Sequence, residues 1–136
     1  MIFVDLDGTL ARMGDRFPYS GPEVVEDTVN EEVLDVVQTL ATAWDAQVFV
    51  LTGRSAQHRV WTERWLAWWG ISYDRLEMRA WGDNRSDEIV KEEILDALLA
   101  EGVHVRAVFD DRKRVCDMWH RRGLPLFRVG DPSASF

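Results

Sequence analysis

The sequence predicts a single α/β domain built on a mostly parallel, five-stranded sheet with helices on both faces. Three observations predict it. Short apolar runs rich in β-branched and aromatic residues recur along the chain, each too brief for a helix. Segments with helical spacing of apolar residues alternate with them. The 136 residues suit one domain with one core, and no repeat, low-complexity tract or linker divides residues 1–136.

In chain order, Ile2 to Val4 reads as a buried strand. Ala11 to Asp27 carries Gly14, Pro18, Gly21 and Pro22 and reads as a loop. Asn30 is placed to cap a helix with Glu31 and Glu32 in its first turn and Val33, Val36, Val37 and Leu40 as its apolar stripe. Val48 to Leu51 is a second buried strand, ending at Thr52-Gly53-Arg54. Trp61, Trp65, Trp68 and Trp69, four of the chain's 7 tryptophans, then mark one helix face. Core packing explains that face better than a base-stacking platform. A weak strand is expected near Leu76 to Met78. Ser86 begins the next helix, with Asp87 and Glu88 in its first turn and Ile94, Leu95, Leu98 and Leu99 apolar. Val103 to Phe109 reads as a strand broken by Asp110-Asp111, a helix with Val115, Met118 and Trp119 follows, and Leu126 to Val129 is the last strand.

Composition excludes several classes. Hydrophobic residues are 46% and charged residues 29%, which is ordinary for a soluble globular chain. No apolar run approaches the roughly 20 residues that span a membrane, and MIFVDLDG lacks the basic region of a signal peptide. Cys116 is the 1 cysteine, which rules out an internal disulfide and suits a reducing cytoplasm. The net charge of −8 excludes attachment to nucleic acid through an overall basic field, so any such contact is local.

Open α/β sheets bind ligands at the carboxyl ends of their strands. Asp5 and Asp7 follow the first strand, Thr52 and Arg54 the second, and Asp110 and Asp111 the strand at 103–109. Lys91 lies on the core side of its helix, near the same edge. Singly, each has an ordinary reading: an Asp-Gly turn, a helix start, an i, i+4 partner of Asp87, a helix N-cap. Together, in this order, they fit phosphoryl transfer. A carboxylate at Asp5 attacks phosphorus. Asp7, two residues on, protonates the leaving oxygen and then activates water. Mg²⁺ needs hard oxygen ligands, which Asp5 and Asp110 supply. Thr52 and Lys91 suit the donor and cation that must face the transferring group.

These residues resemble the haloacid-dehalogenase superfamily. FVDLDGTL matches its DxDGT motif, VLTGR its second motif, Lys91 its third and FDD its fourth. A closer resemblance is to the 3′-phosphatase domain of phage polynucleotide kinase–phosphatases. DLDGTLA, the following Arg16, TGR at 52–54, GDNRSDEIVKEEI at 82–94 and DDRKRVCDMW at 110–119 carry it. The resemblance implies a Mg²⁺-dependent phosphatase working through an aspartyl-phosphate on 3′-phosphorylated DNA or RNA ends, or on nucleotides. It implies catalysis by Asp5, Asp7, Thr52 and Lys91. It implies metal ligation by Asp5, Asp7 through its backbone carbonyl, Asp110, and Asp111 directly or through water. Thr9, Arg16, Gly53 and Arg54 go with substrate binding, Arg16 and Arg54 by holding substrate or ordering the site. If phage-encoded, the protein would work in the host cytoplasm. The Walker pattern GxxxxGK[ST] is absent, so a kinase or ligase, if one cooperates, is expected as a separate partner.

The stretches from Gly8 to Val50 and from Arg54 to Lys91 hold mostly core helices, leaving no room for a large cap. An open site admits a polymer end or a small nucleotide. Arg79, Trp81 and Arg85, just before the Lys91 helix, are candidates to touch a base or backbone phosphate; loop solvation and a packed Trp explain them equally well. A general nucleotide or small-phosphoester phosphatase is the second reading. A catalytically idle interaction domain is a third, opposed by the intact Asp5 and Asp7.

Overall fold

The computed structural model describes residues 1–12 and 27–135. Five parallel strands form the main sheet: β1 (Ile2–Val4), β4 (Val48–Ser55), β5 (Arg75–Arg79), β6 (Ala107–Asp110) and β7 (Leu126–Arg128), in the order β5-β4-β1-β6-β7. A separate antiparallel ribbon pairs β2 (Ala11–Arg12) with β3 (Thr28–Val29). The helices are α1 (Glu31–Trp44), α2 (Arg59–Trp68), α3 (Asp87–Ala100) and α4 (Lys113–Arg121).

The strand period of two sorts the core into two layers. Ile2 and Val4 of β1 and Val48 and Val50 of β4 face Val37 of α1 and Trp65 and Leu66 of α2. Phe3, Phe49 and Leu51 point the other way, onto Leu95 and Leu98 of α3 and Val115, Met118 and Trp119 of α4. Both faces are covered, so all three β1 residues are apolar and buried. The chain order β1–β4–β5 runs outward from the centre on one side, and β6–β7 on the other. The sequence therefore switches sides next to β1, where a crevice opens at the carboxyl ends.

Three expectations are corrected. The strand predicted from Val103 begins only at Ala107. Its length is set by its neighbour, because Ala107, Val108 and Phe109 register with the three residues of β1. Ala11 and Arg12 are not loop but one arm of the ribbon, with Ala11 fully buried. The Gly and Pro positions between its arms fall outside the described residues. The tryptophan face is only half core: Trp65 is buried and Trp69 partly so, whereas Trp61 and Trp68 are 37% and 80% exposed. At about 100° per residue, Thr62, Trp65, Leu66 and Trp69 share one sector of the helix, and Trp61 and Trp68 fall outside it. The buried indole N–H of Trp65 donates to the Asp27 carbonyl at 2.8 Å, tying α2 to the ribbon.

Asn30 and Ser86 do occupy N-cap positions, but neither side chain bonds its helix backbone. Among the described residues there is no separate cap domain, and no helix is long and apolar enough to cross a membrane.

Candidate active site

The carboxyl ends of β1 and β6 bring Asp5 and Asp110 together, and α3 delivers Lys91 between them. The Lys91 ammonium donates to Asp5 Oδ1 at 2.6 Å and to Asp110 Oδ2 at 2.9 Å. Lys91 is 1% exposed, an extreme for a lysine that only its two carboxylate partners offset. Burial opposes its charge, but Asp110 and Asp5 outweigh that and hold it above the usual lysine range. The reading of Lys91 as a surface partner of Asp87 is thereby excluded.

Asp110 is fixed on every side. Trp119 Nε1 donates to Oδ2 at 3.1 Å, and the backbone N–H groups of Asp111 and Arg112 donate to Oδ1 at 2.9 and 3.4 Å. Thr9, fully buried, donates to Asp5 Oδ2 at 3.1 Å and lies 3.3 Å from Asp111 Oδ1. Burial raises the Asp5 carboxyl well above its ordinary value, Asp110 raises it further, and Lys91 opposes both. Burial likewise raises Asp111. Gly8, at φ +84°, has its Cα hydrogen where a Cβ would run into the Asp111 carboxylate. That close approach is why a glycine follows Asp7.

Asp7 turns to a different partner. Arg54 Nε and NH2 hold its two carboxylate oxygens at 2.8 and 2.5 Å, and Arg54 is fully buried. Arg54 NH2 is also 3.8 Å from Asp27 Oδ2, and NH1 is 3.4 Å from Thr62 Oγ1. Of the two roles expected for Arg54, the geometry favours ordering the site. Asp27 was not foreseen; an isolated Asp at the end of a polar segment carries no signal.

Thr52 is also fully buried, and its hydroxyl accepts the Arg54 backbone N–H at 3.1 Å. Gly53 sits where a Cβ would collide with the Asp87 carboxylate. Asp87 is a second residue that pattern reading missed, being taken for a helix-start acid. Its two oxygens receive Arg79 at 2.5 Å and Arg112 at 2.9 Å. Its place in the segment at 82–94, four residues before Lys91, was the available signal.

Arg79 and Arg85, the candidates for a backbone-phosphate contact, already have partners within the chain. Arg79 donates to the Gly53 carbonyl at 2.7 Å, to Asp83 O at 3.0 Å, to Arg85 O and to Asp87. Arg85 is paired with Asp83 at 2.8 Å and with Glu93 at 2.5 Å. The Arg79 guanidinium is used inside the fold, whereas the pairs of Arg85 lie at the surface, with its side chain 47% exposed. Arg16 lies outside the described residues.

The donor set suits a hard cation. Asp5, Asp110 and Asp111 are buried, and each offers a carboxylate oxygen within 4.8 Å of the others. Three carboxylates around a single lysine leave excess negative charge in a site screened from water, which a divalent cation with oxygen preference would balance. The Asp7 carboxylate faces Arg54 rather than this cluster.

A doubly covered parallel sheet with this aspartate–lysine network at its carboxyl edge defines a haloacid-dehalogenase-type phosphatase. Residues 1–133 match the family described as the polynucleotide kinase PNKP phosphatase domain, and the chain belongs to that family. A protein of Autographa californica nuclear polyhedrosis virus, named as a bifunctional polynucleotide kinase/RNA ligase, is 31% identical over 131 residues, covering 94% of this chain and 19% of its own length. One solved structure of a Pnkp1/Rnl/Hen1 complex contains a chain that superposes with a TM-score of 0.91 at 36% identity, over 98% of this chain and 46% of that one. In a structure of the Pnkp1/Rnl/Hen1 RNA repair complex the corresponding values are 0.86, 37%, 98% and 43%. The chain thus spans less than half the length of these relatives.

Proposed function

We propose that this domain removes terminal 3′-phosphates from polynucleotide ends in RNA repair, through an aspartyl-phosphate on Asp5. The observation that carries the mechanism is the buried network in which Lys91 bridges Asp5 and Asp110 beside Asp111. The polynucleotide end as substrate rests on family membership and on the relatives' names.

In the first half-reaction an Asp5 oxygen forms a bond to phosphorus while the bond from phosphorus to O3′ breaks. Asp7 gives the departing O3′ its proton. In the second half, Asp7 takes a proton from water, whose oxygen attacks phosphorus. The bond to Asp5 breaks and inorganic phosphate leaves. Arg54 sets the orientation of Asp7 for both steps. Lys91 and the Thr9 hydroxyl orient Asp5. Asp5, Asp110, Asp111 and the Asp7 carbonyl would hold Mg²⁺, which when bound supplies Lewis-acid stabilisation of negative charge on the transferring group. Kinase or ligase activity would come from another polypeptide or from a further part of the protein, as the relatives' composition implies.

The test is a competition between a 3′-phosphorylated and a 5′-phosphorylated oligonucleotide of one sequence, with Mg²⁺ and then with EDTA. Hydrolysis of the 3′ end alone, abolished by EDTA and restored by Mg²⁺, is expected. Equal rates at the two ends would favour the general phosphoester phosphatase.

A further inference from the structure

At the carboxyl end of β4, where Gly53 follows Thr52, lies an open groove of about 400 Å³ lined by Gly53, Ser55, Gln57, Trp81, Asp83 and Asn84, among others. Trp81 is 76% exposed there. An indole left in water forgoes a large hydrophobic gain, and packing among the described residues does not explain it. Nor is the residue on a loose loop. Ala80 to Asp83 form a tight turn closed by the Asp83 N–H on the Ala80 carbonyl at 3.1 Å. Gly82, at φ +86°, supplies the left-handed position that such a turn requires. Arg79 binds both ends of this turn region, through Asp83 O and Arg85 O, to the Gly53 carbonyl at the end of β4. The backbone that carries the indole is therefore held at a fixed place relative to Gly53 at the end of β4.

The chemistry of the groove selects its occupant. Its two cations, Arg79 and Arg85, are both engaged by carboxylates, and the Asp83 carboxylate itself forms part of the wall. A phosphate would have to compete with Asp83, Asp87 and Glu93, which already hold both arginines. A flat, uncharged π system would meet the exposed indole and the amides of Gln57 and Asn84. We propose that this groove takes a nucleobase from the 3′-terminal nucleotides of the substrate, stacked on Trp81. Trp81 is then a specificity residue that separates polynucleotide ends from simple phosphoesters. The inference rests on the polynucleotide 3′-phosphatase reading. Stacking accepts every base, so little sequence preference follows, and this contact adds nothing to the salt dependence of binding.

The experiment is a cycle of four KM values: wild type and Trp81→Ala, each with a 3′-phosphorylated oligonucleotide that is intact or carries abasic sites at its last two positions. Base–aromatic stacking implies that Trp81→Ala raises KM for the intact oligonucleotide roughly 5- to 150-fold with kcat little changed. The abasic substrate should lose a similar factor with wild type and nothing further with Trp81→Ala. Hydrolysis of p-nitrophenyl phosphate should stay constant, which also shows that the variant is folded. Trp81→Tyr should restore most of the affinity and Trp81→Leu should not. If wild type hydrolyses the 3′-phosphorylated oligonucleotide but KM is unmoved by Trp81→Ala, the base subsite is overturned and the phosphatase reading stands. If the two losses add independently, the stacking pair is likewise rejected. If wild type hydrolyses p-nitrophenyl phosphate but no 3′-phosphorylated oligonucleotide, the polynucleotide reading falls and the subsite with it.

Discussion

Replacing Lys91 with Met removes one ammonium from the middle of three buried carboxylates. The side chain is 1% exposed and makes bonds of 2.6 and 2.9 Å to Asp5 and Asp110, so bulk water screens the pair little. Removing one partner of a buried ion pair costs about 3–5 kcal/mol, because the remaining charge stays buried without compensation. For a domain of this length that corresponds to a fall in Tm of roughly 10–20 °C. Urea unfolding in EDTA at neutral pH measures it, with an unchanged slope as the sign that only stability has moved. The pH dependence gives a second check. Asp5 already has a raised carboxyl in the folded state, chiefly from burial, and loss of Lys91 removes the group that opposes that rise. A carboxyl with a raised folded value binds its proton more tightly folded than unfolded. The stability it contributes is full below the unfolded value and is lost as pH rises towards the folded one. The deficit of Lys91→Met should therefore be largest near neutrality and shrink as pH falls towards about 5. Mg²⁺ should recover part of it by binding the folded state alone. A variant within about 1 kcal/mol of wild type at neutral pH, or a deficit that grows on acidification, would refute the account of this network.

Three further outcomes follow from the same geometry. Asp7→Asn should lose most single-turnover phosphorylation of Asp5 by alkyl phosphates but much less by p-nitrophenyl phosphate, which needs little leaving-group protonation; equal losses on the two substrates would count against the general-acid role. Gly53→Ala drives a methyl into the Asp87 carboxylate and should cost about 1–3 kcal/mol in urea unfolding by loosening the Arg79 and Arg112 contacts; a neutral result would mean that Asp87 is not fixed as described. Cys116 is buried, which pushes its thiol up to about 12, so a thiol reagent at pH 8 should react only after unfolding; prompt labelling of the native protein would contradict its position.

Much of this was legible in the chain because the signals were local. Apolar runs such as Ile2–Val4 have one stable use, a strand covered on both faces, and their polar successors must then emerge at one edge. Lys91 was placed correctly by helical spacing alone. What escaped were contacts made by side chains far apart in sequence. Arg79 reads as a free surface cation because the carbonyl of Gly53 and the carboxylate of Asp87 reach it only through the fold. Asp87 has the composition of any first-turn acid, and its partner Arg112 lies 25 residues away. The tryptophans misled for a geometric reason. The four rings share an arc of about 100°, but the buried sector, which holds Thr62, Trp65, Leu66 and Trp69, is offset from that arc, so Trp61 and Trp68 remain outside.

The central claim is that Asp5 carries the phosphoryl group, and the Asp7→Asn variant offers the most direct view of it. An aryl phosphate needs no acid to form the intermediate, whereas water attack still needs the base. With ³²P-labelled p-nitrophenyl phosphate and Mg²⁺, this variant should release a burst of p-nitrophenol near one equivalent. After acid quench it should carry label on the peptide that contains Asp5, released by hydroxylamine as an acyl phosphate would be. A burst of p-nitrophenol with no label on that peptide, or with label on another residue, would contradict the mechanism.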